Sequence, residues 1–132
     1  MAEKPSLCIV HTGLALPHIL LGEGPDQAGG SEVCLSILIR GLRARGWPIT
    51  IIVGDYGQPE EQTTHDGVRL IRSTRRDGGL PGLRFYTHTM PADVATVRSV
   101  DADQYLQMGI GWHTGMLANE CNRRRRRFIF RR

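Results

Sequence analysis

The chain has 132 residues, which is enough for one domain with a hydrophobic core and too few for two ordinary domains. Hydrophobic residues make up 40% of the chain and charged residues 23%, a balance that excludes a disordered polypeptide. The formal net charge of +4 favours anionic partners, but seven of the 17 basic residues lie in Arg123–Arg127 and Arg131–Arg132, and the rest of the chain is mildly acidic.

The first half of the chain predicts a strand, a long connection, a helix and a second strand. Leu7–Val10 is an apolar run of the length of a buried strand, and the residues 12–29 that follow are rich in glycine and proline. Over residues 31–45 apolar side chains recur with helical spacing, and Gly46 stands where a helix-ending glycine is expected. Ile49–Val53 is β-branched throughout, which is typical of a parallel strand covered on both faces.

The second half predicts three further strands and two helices, separated by polar or glycine-rich segments. In chain order these are the polar loop 54–67, the strand Val68–Ile71, the irregular segment 74–90, a helix Ala92–Ser99 opened by Pro91, the strand Gln104–Met108, a turn at Gly109 and Gly111, the helix Trp112–Arg123 and the strand Phe128–Phe130. This order predicts an α/β fold with a doubly wound, mostly parallel Rossmann-like sheet and helices on both faces.

Three cysteines without a Cys-x-x-Cys spacing indicate neither a disulfide framework nor a zinc site, so we expect a reducing compartment and no metal. They are Cys8, Cys34 and Cys121. The segment 7–21 is fairly apolar, but Pro17 interrupts it and its N-terminal flank carries no net positive charge, unlike that of a signal peptide. A cytoplasmic location is therefore predicted. Cys34 lies on the apolar face of the first helix, where a core role is expected rather than a nucleophilic one.

The stretch Gly29-Gly30-Ser31-Glu32 stands directly before the first apolar helix. A helix N-terminus presents unpaired N–H groups and a partial positive charge, and glycines allow a ligand to approach the backbone. A turn followed by an ordinary helix start is the alternative interpretation. The position of the motif, after the first strand and a long loop, favours phosphate binding, because doubly wound folds bind phosphates there.

Two common nucleotide-binding motifs are missing from the sequence. No G-x-G-x-x-G follows the first strand, since Gly22-x-Gly24 lies too far along the chain, and no G-x-x-x-x-G-K-[ST] occurs. NAD-dependent chemistry and P-loop hydrolysis are therefore disfavoured.

Three stretches together resemble a known family. They are "GGSEVCLSILIRGLRARGWPITIIVGD", "DGVRLIRS" and "DADQYLQMGIGWHTGMLANECNRRRRRFIF". Their order of motif, helix, turn and strands resembles the N-terminal domain of retaining GT-B glycosyltransferases of family four, over most of residues 7–130. The chain departs from that family at Trp47-Pro48, where the family has a histidine, and Trp47 is expected to be a packing residue.

The resemblance implies a sugar-transfer enzyme built from two domains. The N-terminal domain would shape the acceptor side of a cleft, with Gly29, Gly30, Ser31 and Glu32 facing the diphosphate of a nucleotide-sugar donor. His113 would lie at the head of a helix near the reacting sugar, unless it is only a partly exposed helix-start histidine. No tightly bound cofactor is implied, and the acceptor could be a sugar, a lipid-linked molecule or another small molecule.

The family's donor-binding C-terminal domain, with two glutamates eight positions apart, is not found in residues 1–132. We expect these residues to form a single truncated domain that transfers no sugar by itself, because half of the cleft is missing. Self-association or poor solubility is expected as well, since the face normally covered by the other half would be exposed.

Two further patterns allow other interpretations. Asp101-x-Asp103 resembles a metal motif of a different transferase class, but the pair precedes a strand, and solvated acids are expected. Arg123, Arg124, Arg125, Arg126 and Arg127 precede Phe128-Ile129-Phe130, and such a run could bind nucleic acid or an anionic membrane surface. The alternative function is therefore a small basic binding module; otherwise the arginines face water and the apolar triplet is buried.

Overall fold

The computed structural model describes residues 4–12, 15–22, 29–55, 57–73, 82–83, 86, 89–108 and 111–131. Its elements in chain order are β1 (Leu7–Val10), α1 (Ala15–Leu20), α2 (Gly30–Ala44), β2 (Ile49–Val53), β3 (Glu61–Thr63), β4 (Arg69–Arg72), α3 (Met90–Ser99), β5 (Gln104–Met108), α4 (Trp112–Arg124) and β6 (Arg127–Arg131). The sheet has the order β3-β4-β2-β1-β5-β6, and all its neighbouring strands are parallel except β3 and β4.

Hydrophobic side chains cover both faces of the sheet. On one face, Leu35 and Ile39 of α2 pack with Ile9 and Ile51 of the central strands. On the other face, α3 and α4 pack against the side chains that alternate with these, among them Cys8, Ile52 and Tyr105. Because successive residues of a strand point to opposite faces, strands covered on both sides must be apolar throughout, as β1 and β2 are. The predicted doubly wound fold is confirmed.

Two short elements differ from the sequence-based expectation. The connection 12–29 was expected to be irregular, but it contains the helix α1, whose Leu16 is fully buried. The loop 54–67 contains β3, which pairs antiparallel with β4 through Glu61↔Ile71 and Thr63↔Arg69. The predicted irregular segment 74–90 and the turn residue Gly109 lie largely outside the described residues.

The helix predicted over residues 31–45 is α2, and its predicted end at Gly46 is confirmed. This residue has φ +85°, its N–H donates to the Arg43 carbonyl at 2.9 Å, and the N–H of Trp47 donates to the Leu42 carbonyl at 3.1 Å. Trp47 is partly buried and packs against the core, as expected from the sequence. The turn therefore aims the chain from α2 directly into β2.

Two alanine substitutions in this segment are expected to have opposite effects on stability. Gly41→Ala should raise the free energy of unfolding by about 0.5–1 kcal/mol, because glycine costs backbone entropy inside a helix. The new Cβ would meet only Arg45 Nη1, at 4.0 Å. Gly46→Ala should lower the free energy of unfolding by about 1 kcal/mol, because the left-handed conformation is strained for a residue with a Cβ. Urea unfolding of both variants tests this, and equal effects would contradict it.

Candidate functional site

The predicted site lies at the edge of the sheet where the parallel strands end. β1 and β5 are neighbours in the sheet, with Val10 paired to Gln107, so the segments that follow them leave the same edge side by side. His11 directly follows β1, and α4 begins a few residues after β5. Doubly wound folds bind ligands at this carboxyl edge of the sheet. The ligand lies between two neighbouring strands whose following connections run to opposite faces of the sheet.

The first turn of α2 is closed by Glu32. The N–H of Gly29 donates to Glu32 Oε2 at 3.1 Å, and the N–H of Glu32 donates to the Gly29 carbonyl at 3.1 Å. In such a turn the N–H groups of Gly30 and Ser31 have no acceptor within the helix. Both residues are exposed, and their N–H groups belong to the first turn of α2, at the positive end of the helix dipole.

Neither glycine of the motif is required by the fold of the described residues. Gly29 has φ −76°, which any residue can adopt, and a Cβ placed there would meet Glu32 Oε2 and Ser31 Oγ only at 3.8 and 3.9 Å. A Cβ at Gly30 would have no described heavy atom within 4 Å. The open space over the backbone is the property that a ligand approaching these N–H groups needs.

Glu32 also connects the motif to the first strand. Its Oε1 lies 3.3 Å from His11 Nε2, and each of the two side chains is only 12% exposed. The carboxylate therefore bridges the end of β1 and the start of α2, in addition to its contact with the Gly29 N–H. His11 was not among the predicted site residues, although its place immediately after a buried strand is the available signal.

His113 lies at the start of α4 and is held by a buried acid. Its Nε2 is 2.8 Å from Asp93 Oδ2, with 14% of the histidine side chain and 4% of the aspartate side chain exposed. When Asp93 is ionised its carboxylate can only accept a hydrogen bond, and His113 Nε2 is then the donor. The ring also lies against Trp112, with centroids 4.2 Å apart. Asp93 was missed in the sequence because its partner is twenty positions away.

A second acid fixes α3 against α4. Glu120 is buried, and its Oε1 accepts hydrogen bonds from Arg98 Nε at 3.1 Å and Nη2 at 2.9 Å. These hydrogen bonds hold the pKa of Glu120 below its usual value. Because Arg98 and Asp93 are both on α3, this pairing also holds Asp93 in reach of His113.

Asp101 and Asp103 lie at the opposite edge of the sheet, before β5. Asp103 Oδ2 accepts hydrogen bonds from the N–H and the hydroxyl of Ser6, at 2.9 and 3.2 Å, and these lower the pKa of Asp103. Asp101 pairs with Arg126 Nη2 at 2.9 Å. Both acids are exposed, as expected from the sequence. No group of three metal-ligating side chains occurs among the residues described above.

The five arginines of the run Arg123–Arg127 do not form one uniform surface. Arg124 donates to the Tyr105 hydroxyl at 2.9 Å and to the Val97 carbonyl at 3.3 Å, and Arg126 pairs with the two aspartates before β5. Arg125 and Arg127 are exposed. The apolar triplet is buried only in part: Phe128 packs against the core, but Ile129 is 38% and Phe130 41% exposed.

A cavity of about 540 Å³ opens at the amino edge of the sheet, away from the residues predicted to bind a ligand. It is lined in part by Ser6, Pro48 and Asp101, which precede β1, β2 and β5. The cavity is therefore separate from the start of α2, where an anion site is predicted.

Exposed apolar side chains form a second feature of α2. Val33, Ile37 and Leu38 are 44%, 66% and 37% exposed on its outer side. Self-association stays a prediction, and this stripe is one surface that it could use. Among the described residues, no helix is long and apolar enough to cross a bilayer.

The fold has a counterpart among solved structures. The mixed α/β architecture is similar to the Rossmann-like domain of a GT-B glycosyltransferase. The chain is similar in structure to sucrose-phosphate synthase from Thermosynechococcus elongatus, with a TM-score of 0.63 and 16% sequence identity over 96% of this chain and 32% of that one. The chain therefore spans about a third of the length of that protein. No family model and no curated protein matches the sequence.

Proposed function

We propose that this chain is the acceptor-side N-terminal domain of a retaining, family-four-like GT-B glycosyltransferase. The observation that supports the proposal is the start of α2: two N–H groups without an acceptor inside the helix, next to glycines where the described residues leave room for a ligand, at the carboxyl edge of a sheet with a glycosyltransferase-like fold. The complete enzyme would move a sugar from a nucleotide-sugar donor to a sugar, lipid-linked or other small acceptor.

The motif would act on the leaving group. When the bond between sugar and diphosphate breaks, negative charge develops on the diphosphate, and preorganised N–H donors stabilise that charge. Gly30 and Ser31 would supply these donors, and the absence of a described heavy atom within 4 Å of a Cβ at Gly30 would let the diphosphate approach. Glu32 is already bonded to His11 and to the Gly29 N–H, so its role would be to hold the turn rather than to contact the anion.

His113 would contact the reacting sugar from the other side of the same edge. Asp93 holds its Nε2 at 2.8 Å, which fixes the orientation of the ring. The remaining Nδ1 would be the atom available for a sugar hydroxyl, as an acceptor while the ring is neutral. A catalytic role for His113 is a proposal that rests on this geometry and on the family resemblance.

A second domain would hold the nucleotide sugar, in the same polypeptide or in another one. A cytoplasmic location, with peripheral contact to an anionic membrane if the acceptor is lipid-linked, stays a prediction.

Purified protein of these 132 residues is expected to show no sugar transfer. The N–H donors of α2 would supply only one side of the cleft, and transfer needs donor and acceptor held in one geometry. The measurement is release of nucleoside diphosphate from a panel of nucleotide sugars, with a complete GT-B enzyme as the positive control. Turnover above the uncatalysed rate would contradict the two-domain proposal.

A further inference from the structure

The cavity of about 540 Å³ at the amino edge is a groove on the face of the sheet that carries α3 and α4. Thr50 of β2 and Arg69 and Ile71 of β4 form its floor. Residues 99–102, at the end of α3, line one side, and Glu60 and Glu61 at the start of β3 line the other. Because Glu61 is paired with Ile71, its side chain lies on the same face of the sheet as those of the floor.

The groove lies toward the β3 end of the sheet and not next to β6. In the order β3-β4-β2-β1-β5-β6, two strands stand between β2 and β6. A further strand beside β6 would be about 20 Å from β2, since neighbouring strands are about 4.8 Å apart. Such a strand would therefore not fill the groove.

Arg69 is a charged residue on a strand inside the sheet, since β4 lies between β2 and β3. Its side chain is half exposed, and its Nε donates to Glu61 Oε1 at 2.8 Å. The terminal Nη1 and Nη2 groups have no acceptor among the residues that the structure describes. A guanidinium group held through Nε in this way keeps two terminal donor groups for a carboxylate.

Glu60 supplies an unpaired acid beside this pair. The N–H of Arg72 donates to the Glu60 carbonyl at 2.8 Å, which fixes the backbone directly before β3. Within the described ranges of the chain, the Glu60 carboxylate has no hydrogen-bond or ion-pair partner. The other two acids that line the groove, Glu61 and Asp101, already pair with arginines. The groove thus offers one free carboxylate and one guanidinium with free donors.

These groups select among the possible ligands. A phosphate or a nucleic acid would meet three acids against a single arginine, which is unfavourable. A simple amine would pair with Glu60 but would leave the Arg69 donors unused. A ligand with both charges satisfies both residues.

The apolar part of the lining indicates what else the ligand carries. Leu7, Val100 and Ala102 border the groove together with Ile71, so an aliphatic group would lose apolar surface to water on binding there. We propose that the groove binds an α-amino acid with an aliphatic side chain, its carboxylate on Arg69 and its ammonium group on Glu60. This ligand site is separate from the one under the proposed function, because it lies at the opposite edge of the sheet.

The test titrates the 132-residue chain with L-leucine and with two analogues that each lack one charged group. 3-Methylbutylamine lacks the carboxylate, and 4-methylpentanoate lacks the ammonium group. We expect leucine to bind, and each analogue to bind at least about tenfold more weakly, because each loses a charge-assisted interaction. Amide proton–nitrogen shifts should appear in β4 and in residues 99–102, and not at Gly29–Glu32.

Two variants assign the two charges of the ligand. Glu60→Gln should reduce the affinity for leucine to that for 4-methylpentanoate, and Arg69→Met should reduce it to that for 3-methylbutylamine. Arg45→Met is the matched control, because Arg45 is exposed and does not line the groove, and it should bind leucine as the wild type does.

Four results would overturn the proposal. Leucine does not bind, 3-methylbutylamine binds as tightly as leucine, or Glu60→Gln and Arg69→Met both keep the wild-type affinity for leucine. The fourth is that the shifts are confined to the start of α2, because the amino acid would then occupy the predicted anion site instead of the groove.

Discussion

Alkaline conditions are expected to remove about 4 kcal/mol from the free energy of unfolding, because burial raises the pKa of the Cys8 thiol from 9.0 to about 12. The unfolded chain loses this proton at a lower pH than the folded protein does. The contribution of the protonated Cys8 thiol to the free energy of unfolding is therefore fully present below pH 9.0. It is lost as the pH rises toward about 12. Burial also raises the pKa of Tyr105, which shifts stability in the same direction.

Urea unfolding at increasing pH, in the presence of a reductant, measures this loss. Cys8→Ala should cost little at neutral pH, since a buried thiol behaves as a small apolar group, and should make the alkaline loss much smaller. Cys34→Ala is the matched control, because it keeps the Cys8 thiol and should keep the full pH dependence. Equal curves for Cys8→Ala and the wild type would show that another group causes the loss.

Gly30→Glu is expected to weaken diphosphate binding by at least about 100-fold, because a carboxylate about 5 Å from even one negative charge of the ligand costs roughly 3 kcal/mol at an effective dielectric constant of about 20. The fold should tolerate the change, since a Cβ at Gly30 has no described heavy atom within 4 Å. An acidic residue in the first turn of a helix also interacts favourably with the dipole.

Gly41→Glu provides the control for this substitution. It adds the same charge to the same helix, about 16 Å from position 30, and it lies one turn before Arg45. Phosphorus NMR of inorganic diphosphate measures binding to both variants. If both variants lose the same affinity for diphosphate, the effect is a general one of charge. If Gly30→Glu keeps the wild-type affinity, the anion binds elsewhere.

The sequence predicted the longer elements because their signals are local. The helix α2 has an apolar repeat and an ending glycine, and β2 is β-branched throughout, so pattern and structure agree to within a residue. α1 was missed because it has only six residues and contains Pro17, and β3 because Glu61-Gln62-Thr63 has no apolar pattern. A short polar edge strand forms through its partner β4, which a local pattern does not contain.

The sequence predicted the candidate site residues but not the side chains that contact them in the fold. The sequence singled out Gly29–Glu32 and His113, but not their partners His11 and Asp93, because each partner becomes adjacent only when strands and helices pack. For the same reason, the sequence did not distinguish the five arginines Arg123–Arg127 from one another. In the folded chain the arginines differ, because Arg124 donates a hydrogen bond to the Tyr105 hydroxyl whereas Arg127 is exposed on β6.

A titration of the isotope-labelled chain with a nucleoside diphosphate tests most directly whether the start of α2 faces a diphosphate. Amide proton–nitrogen spectra report which backbone groups meet the ligand. We expect concentration-dependent shifts at Gly29, Gly30, Ser31 and Glu32, together with His113. Shifts confined to Arg123–Arg127, or no shifts up to saturating concentrations of the ligand, would contradict a diphosphate site at the start of α2.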